Sequence, residues 1–98
     1  MLTFGPVSAG LRYRQNPRVA GRRMDEVVFV VTPDDQRLHE LNETAALIWE
    51  CAAAGCTAED AARAIVEQYE VDLDTALADV RACCEDLVNR KILVAEPA

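Results

Sequence analysis

The sequence predicts an α+β domain of the winged helix-turn-helix type, in which a small antiparallel sheet of two to three strands is followed by three helices. Three observations predict it. Residues 27–31 (VVFVV) are β-branched or aromatic throughout, which is typical of a buried strand. A Pro-Asp-Asp sequence at 33–35 predicts a turn that sends the chain back antiparallel. Signals for the start and the end of a helix then follow repeatedly between residues 42 and 90.

The predicted strands are residues 17–24, 27–31 and 37–41, and residues 92–94 can add a short closing strand. In the first strand, Gly21 marks a bend or a bulge. In the return strand, Leu38 and Leu41 are an odd number of positions apart. A bulge near Glu40 is therefore needed to direct both leucines to the core.

Asn42 and Thr57 can cap the first turns of the first two predicted helices, and the third helix is predicted to start after Asp72. The helices are predicted at residues 43–54, from 58 to about 69 and from 73 to about 90. Gly55 is placed to close the first helix. The third is the longest, and one apolar stripe follows its whole length: Leu73, Leu77, Val80, Cys84, Leu87 and Val88.

Length and composition fit one globular domain. The chain has 98 residues, of which 51% are hydrophobic and 28% are charged, so it is neither disordered nor large enough for an elaborate buried catalytic cavity. No apolar run approaches the roughly 20 residues that span a bilayer, and no signal peptide is evident. We therefore expect a cytoplasmic protein without a membrane partner.

The charge is divided unevenly along the chain. Residues 1–24 hold five arginines and no acid, whereas the remainder holds 5 basic and 17 acidic side chains, and the net charge is −7. An acidic body repels nucleic acid, so we expect no nucleic-acid partner. The arginine-rich segment can contact an acidic partner, although a solvated tail is the commoner role of such a segment.

The cysteines predict neither a disulfide framework nor a metal site. Cys51, Cys56, Cys83 and Cys84 contain no CxxC pair, and His39 is the single histidine. No Ser, Cys or Asp stands at a recognisable spacing from His39 to form a catalytic triad. We expect reduced cysteines that pack as small hydrophobes, no cofactor and no enzymatic activity.

A hairpin this short, which ends directly in a helix, indicates a small sheet with one open edge. The open edge is residues 36–41, and an open edge can accept another strand. Strand alternation places Arg37 and His39 on the face opposite Leu38, where they can contact a ligand or form a solvated rim.

The order and spacing of several short motifs resemble the PqqD family, the peptide chaperones also called precursor-peptide recognition elements. The matching positions lie within residues 17–95 and are Leu41-Asn42, Thr44-Ala45, Gly55, Tyr69, Asp79-Val80, Leu87 and Ile92-Leu93. The resemblance divides the chain into an irregular N-terminal arm at 1–16 and a PqqD-like peptide-binding domain at 17–98. Two departures are Cys83-Cys84, where the family commonly has a bulky aromatic-aliphatic pair, and Lys91, where it usually has glycine.

The resemblance implies a non-catalytic adaptor. Family members bind the leader segment of a ribosomally made precursor peptide as an added β-strand and present it to a modifying enzyme, frequently a radical SAM enzyme. The implied groove lies between the third strand and the third helix. Its expected residues are Gln36, Arg37, Leu38, His39, Glu40 and Leu41 on the strand, and Leu77, Val80, Arg81 and Cys84 on the helix. Leu77, Val80 and Cys84 also belong to the apolar stripe, whose commonest role is core packing, and Arg81 can equally form part of a solvated rim.

Three further possibilities remain open from the sequence. A half-covered Trp49 can anchor a partner protein or close the edge of the core. A winged-helix DNA-binding regulator shares the fold, although the acidic third helix disfavours it. An enzyme or metal protein would have to use Cys51, Cys56, Cys83 and His39. The sequence leaves the oligomeric state open.

Overall fold

A three-stranded sheet, a two-stranded sheet and three α-helices surround one core in the computed structural model, which describes residues 11–97. The elements are β1 (Leu11–Gln15), β2 (Ala20–Met24), β3 (Val27–Thr32), β4 (Arg37–Leu41), α1 (Glu43–Cys51), α2 (Ala58–Gln68), α3 (Leu73–Asn89) and β5 (Leu93–Pro97). The predicted α+β class and the order of sheet and helices are confirmed. Within this described part, no helix combines the length and the apolar character needed to cross a membrane.

The three-stranded sheet has the order β2–β3–β4, and its register explains which side chains face the core. Val28 pairs with Leu41 and Val30 with His39 on the inner face, whereas Leu38 pairs with Val31 on the outer face. The pairing continues without interruption along β4, so the expected bulge near Glu40 is wrong. As a result Leu41 is buried and Leu38 is 66% exposed.

The helices begin where the capping residues predict. The side-chain oxygen of Asn42 accepts a hydrogen bond from the backbone N–H of Ala45 at 2.9 Å, and Asp72 accepts one from Thr75 at 2.8 Å. Thr57 and Asp60 form a reciprocal capping box at the start of α2. The first helix ends at Cys51 and continues as a 3₁₀ turn at Ala52–Ala54, so its predicted end at residue 54 includes this turn.

The two-stranded sheet pairs the N-terminal strand β1 with the C-terminal strand β5. Tyr13 at its centre is 6% exposed, and its backbone exchanges hydrogen bonds of 2.6 and 2.9 Å with Cys56. The expectation of an irregular arm as far as residue 16 is therefore wrong for residues 11–15. Its first ten residues lie outside the described part, and the domain boundary at residue 17 stays a prediction.

The N-terminal arginines make contacts within the protein. Arg14 pairs with Glu96 at 3.3 Å, Arg18 with Asp34 at 2.7 Å and Arg23 with Glu50 at 2.6 Å. Arg12 donates to the backbone oxygen of Gly55 at 3.2 Å. These surface pairs contribute little to stability individually. They do show that Arg12, Arg14, Arg18 and Arg23 contact the folded domain, so the interpretation as a solvated tail is wrong for these residues.

Trp49 is a core residue and not a half-covered surface anchor, because only 6% of it is exposed. Its indole ring lies against the backbone of β2 at Gly21, where an added Cβ would be 2.7 Å from the ring. Gly21 therefore allows the close approach of a large aromatic ring, and β2 runs in register with β3 without the predicted bend.

Candidate functional site

The free edge of β4 is the first part of the candidate site. Within residues 11–97, β4 is hydrogen-bonded to β3 on one side and to no strand on the other. Such an edge presents unpaired backbone N–H and C=O groups. Arg37, Leu38 and Glu40 are exposed, His39 is half-buried and Leu41 is buried. Gln36 precedes the strand as the last residue of the turn, with φ of 53°.

Two cavities connect the residues at the ends of β4 with helix α3. At the start of β4, Asp34 and Asp35 of the turn line a cavity of about 250 Å³ together with Arg90 and Lys91 at the end of α3. Beyond the end of β4, Thr44 shares a second cavity of about 210 Å³ with Asp79 near the start of α3. The turn before β4 therefore lies near the end of α3, and Thr44 after β4 lies near Asp79 in the first half of the helix, so the strand and the helix run in opposite directions. We call the space between them the candidate groove.

The flank of α3 on the side of these two cavities is polar and carries one small side chain. Residues at helical spacing along it are Asp79, Cys83, Asp86 and Arg90. Arg90 pairs with Asp86 at 3.1 Å. Cys83 is half-buried between Asp79 and Asp86, and burial, followed by the charge of Asp86, raises the pKa of its thiol. We define this set as the groove flank of α3.

The helix residues expected in the groove lie elsewhere. Val80 is 0% exposed and Cys84 is 1% exposed, so both belong to the core and cannot contact a guest strand in this conformation. Arg81 lies on the opposite flank, where it lines a cavity with Tyr13, and Leu77 precedes it by one turn. The apolar stripe in the sequence identified the buried face of α3. The polar face next to it contributes Asp79 and Arg90 to the two cavities, and its regular spacing was a usable signal.

His39 takes part in a polar cluster under the turn. Its Nε2 atom lies 3.2 Å from the hydroxyl group of Thr32, which is 3% exposed and also hydrogen-bonds to Asp35. The hydrogen bond from Thr32 lowers the pKa of Asp35. This cluster fixes the turn that starts β4, so His39 has a structural role at the inner face of the sheet edge.

The cysteines are poor candidates for chemistry. Burial raises the pKa of Cys56 to about 11 and that of Cys84 to about 12, which keeps both thiols protonated and weakly nucleophilic. Across residues 11–97, no three His, Cys, Asp or Glu side chains are grouped to hold a metal ion. The unpaired edge of β4 is the candidate binding site among the described residues.

Comparisons with known proteins match the elements that form this groove. The family model for coenzyme PQQ synthesis protein D (PqqD) matches residues 28–93, from β3 to the start of β5. A search of curated proteins finds no match. Two solved structures have a similar fold. The complex of TbiB1 with the TbiA(beta) leader peptide is 24% identical with a TM-score of 0.76, and covers 82% of this chain and 93% of that one. Lasso peptide synthetase B1 complexed with the leader peptide is 24% identical with a TM-score of 0.74, and the match covers 84% of this chain and 96% of that one.

Proposed function

The chain belongs to the PqqD family, and on this basis we propose that it binds the leader segment of a ribosomally made precursor peptide as an additional strand on β4. The observation that carries the proposal is the unpaired β4 edge next to the groove flank of α3. Main-chain hydrogen bonds to an open edge provide affinity, and side-chain pockets beside it provide selectivity. Both solved neighbours are complexes with leader peptides, which supports the same ligand class here.

The groove favours one kind of leader segment. Because the side chain of Cys83 is small, we expect a bulky apolar residue of the guest to pack beside it, at a position where the family commonly has a bulky side chain of its own. Asp79 stands at one end of the groove, and Arg90 and Lys91 stand at the other. A guest with a basic residue near Asp79 and an acidic residue near Lys91 would match these charges.

We propose a non-catalytic role in which the bound leader is presented to a modifying enzyme. The family resemblance favours a radical SAM enzyme as this partner. Copurification of the chain with the enzyme encoded beside it tests the assignment, and an iron–sulfur spectrum in the purified complex would support the radical SAM class. No structural observation favours the DNA-binding alternative, because α3 presents Asp74, Asp79, Glu85 and Asp86 to solvent.

Titration with a synthetic leader peptide is expected to shift the backbone amide signals of Arg37–Leu41 in an NMR spectrum. The reason is that a guest strand forms hydrogen bonds along the free edge of β4. Ala20–Met24 provides an internal control, since β2 is the other outer strand of the same sheet and lacks a neighbouring α3. Saturation without shifts in Arg37–Leu41, or equal shifts in both strands, would contradict the proposed site.

Binding of the leader is also expected to protect Cys83 from alkylation. Cys83 lies in the proposed groove, whereas Cys51 lies on α1, and both are half-buried thiols with a pKa raised by burial. With leader at ten times its Kd, iodoacetamide should modify Cys83 about tenfold more slowly, because only the unbound fraction reacts.

Mass spectrometry of the separated peptides measures both thiols in one sample, with Cys51 as the matched control. The rate for Cys51 should not change. Equal protection of the two thiols would indicate a general stabilisation of the fold and not a ligand over Cys83.

A further inference from the structure

A second groove lies on the other flank of α3, between this helix and the β1–β5 sheet. It has a volume of about 370 Å³, within the range of roughly 300–1,000 Å³ that is usual for ligand pockets. Its apolar walls are formed by Leu11, Val88 and Ala95, and its polar groups come from Tyr13, Arg81, Glu85 and Asn89. This groove faces away from β4, so it is separate from the proposed leader site.

Arg81 brings an unsatisfied donor to this groove. Its Nε atom is buried and has no hydrogen-bond acceptor among residues 11–97. No carboxylate of the described chain lies within the 4.0 Å of its guanidinium that defines an ion pair, although Glu85 lines the same groove. Buried donors in native proteins nearly always have a partner, so the orphaned Nε–H of Arg81 points to an acceptor that the described residues do not supply.

Tyr13 adds a second polar group to the same groove. It is 6% exposed, and its hydroxyl group makes no hydrogen bond within the described residues. Burial raises its pKa, so the hydroxyl group stays protonated and can donate. A guanidinium and a phenol beside apolar walls together suit a carboxylate attached to an apolar body.

We propose that this groove binds a peptide segment of a partner protein in which an acidic side chain stands next to bulky apolar ones. The carboxylate pairs with Arg81 and accepts from Tyr13, and the apolar side chains cover Leu11, Val88 and Ala95. The partner is the modifying enzyme, an assignment that rests on the proposed function, because the two flanks of α3 can then hold the leader and the enzyme together.

Residues 1–10 (MLTFGPVSAG) contain apolar side chains but no Asp or Glu. They can therefore supply no side-chain carboxylate to Arg81. Charge complementarity selects a segment from another protein.

The test uses the full chain and two capped tripeptides, leucyl-glutamyl-leucine and leucyl-glutaminyl-leucine. In an NMR titration the glutamyl peptide should shift the Nε–H signal of Arg81 and the amides of Tyr13 and Ala95. It should bind about tenfold more tightly than the glutaminyl peptide, because hydrogen bonds between charged groups are considerably stronger than neutral ones.

Variants of Arg81 and of Glu85 test the contribution of each charge to binding. Arg81→Gln should remove the preference for the glutamyl peptide, Arg81→Lys should keep part of it, and Glu85→Gln should increase affinity severalfold by removing a like charge. Equal affinity for both peptides, or no shift at millimolar peptide, would overturn the proposal. The amides of Arg37–Leu41 report leader binding in a separate titration, so the two proposed sites are tested independently.

Discussion

Replacing Trp49 by alanine is expected to lower the free energy of unfolding by about 3–5 kcal/mol, the range for removing a large aromatic side chain from a core. The expectation follows from the 6% exposure of Trp49 and from its contact with the β2 backbone at Gly21. Loss of the ring leaves a cavity between α1 and the sheet that the surrounding residues fill only in part. Urea unfolding followed by circular dichroism measures the change.

Two further variants separate this packing role from a role in partner binding. Leu38→Ala is the matched control, because Leu38 is a large apolar side chain that is 66% exposed, and it should change stability by less than about 0.5 kcal/mol. Gly21→Ala tests the same contact from the strand and should destabilise by about 1–3 kcal/mol through overpacking. A Trp49→Ala protein with full stability but weakened binding to an enzyme would contradict the packing role and support the alternative that Trp49 anchors a partner protein.

Methylation of single backbone nitrogens in the leader peptide is expected to reduce affinity at every second position. In a strand paired on one side, N–H groups of alternate residues point toward the neighbouring strand, here β4, and the others point away. A methyl group removes the donor and obstructs the approach of the strands, so the sensitive positions should lose at least about tenfold in affinity. Isothermal calorimetry of each methylated peptide gives the pattern.

The insensitive positions are the internal control, because they carry the same methyl group without facing β4. Unmethylated peptides with single alanine substitutions distinguish the backbone pattern from side-chain effects. A loss at three or more consecutive positions would indicate that the leader does not bind as a strand, and a uniform small loss would indicate a general effect of methylation.

The parts of the fold that depend on local sequence could be predicted in detail. Asn42, Thr57 and Asp72 start their helices in the structure because a capping side chain bonds to a backbone group within three residues. The strand at 27–31 and the turn that follows it could likewise be predicted from neighbouring residues alone. By contrast, β1 forms only by pairing with β5 at the other end of the chain, and no local pattern in Leu11–Gln15 indicates a partner so distant in sequence.

The sequence predicted the strand edge of the candidate site, but it did not predict which residues of α3 lie beside that edge. Strand order follows from the short hairpin, so the sequence identified β4. Which flank of α3 faces β4 depends on how the helix is rotated by its packing against α2 and the β1–β5 sheet. The apolar stripe that contains Val80 and Cys84 could only show the buried face, and it did not indicate which polar flank of the helix lies toward β4. The exposure of Trp49 was predicted wrongly for a similar reason, because the backbone that covers its ring is at Gly21, in a strand distant in sequence.

The pairing of β1 with β5 also determines how the domain responds to mechanical force. Leu11 lies opposite Pro97, so a pull applied to both ends of the described chain acts first on this two-stranded ladder. When force is applied at one end of an antiparallel strand pair, its hydrogen bonds break one after another, which requires only a low force. The β2–β3–β4 sheet lies outside this load path, and tension on the ends reaches the β4 edge only after β1 and β5 have separated.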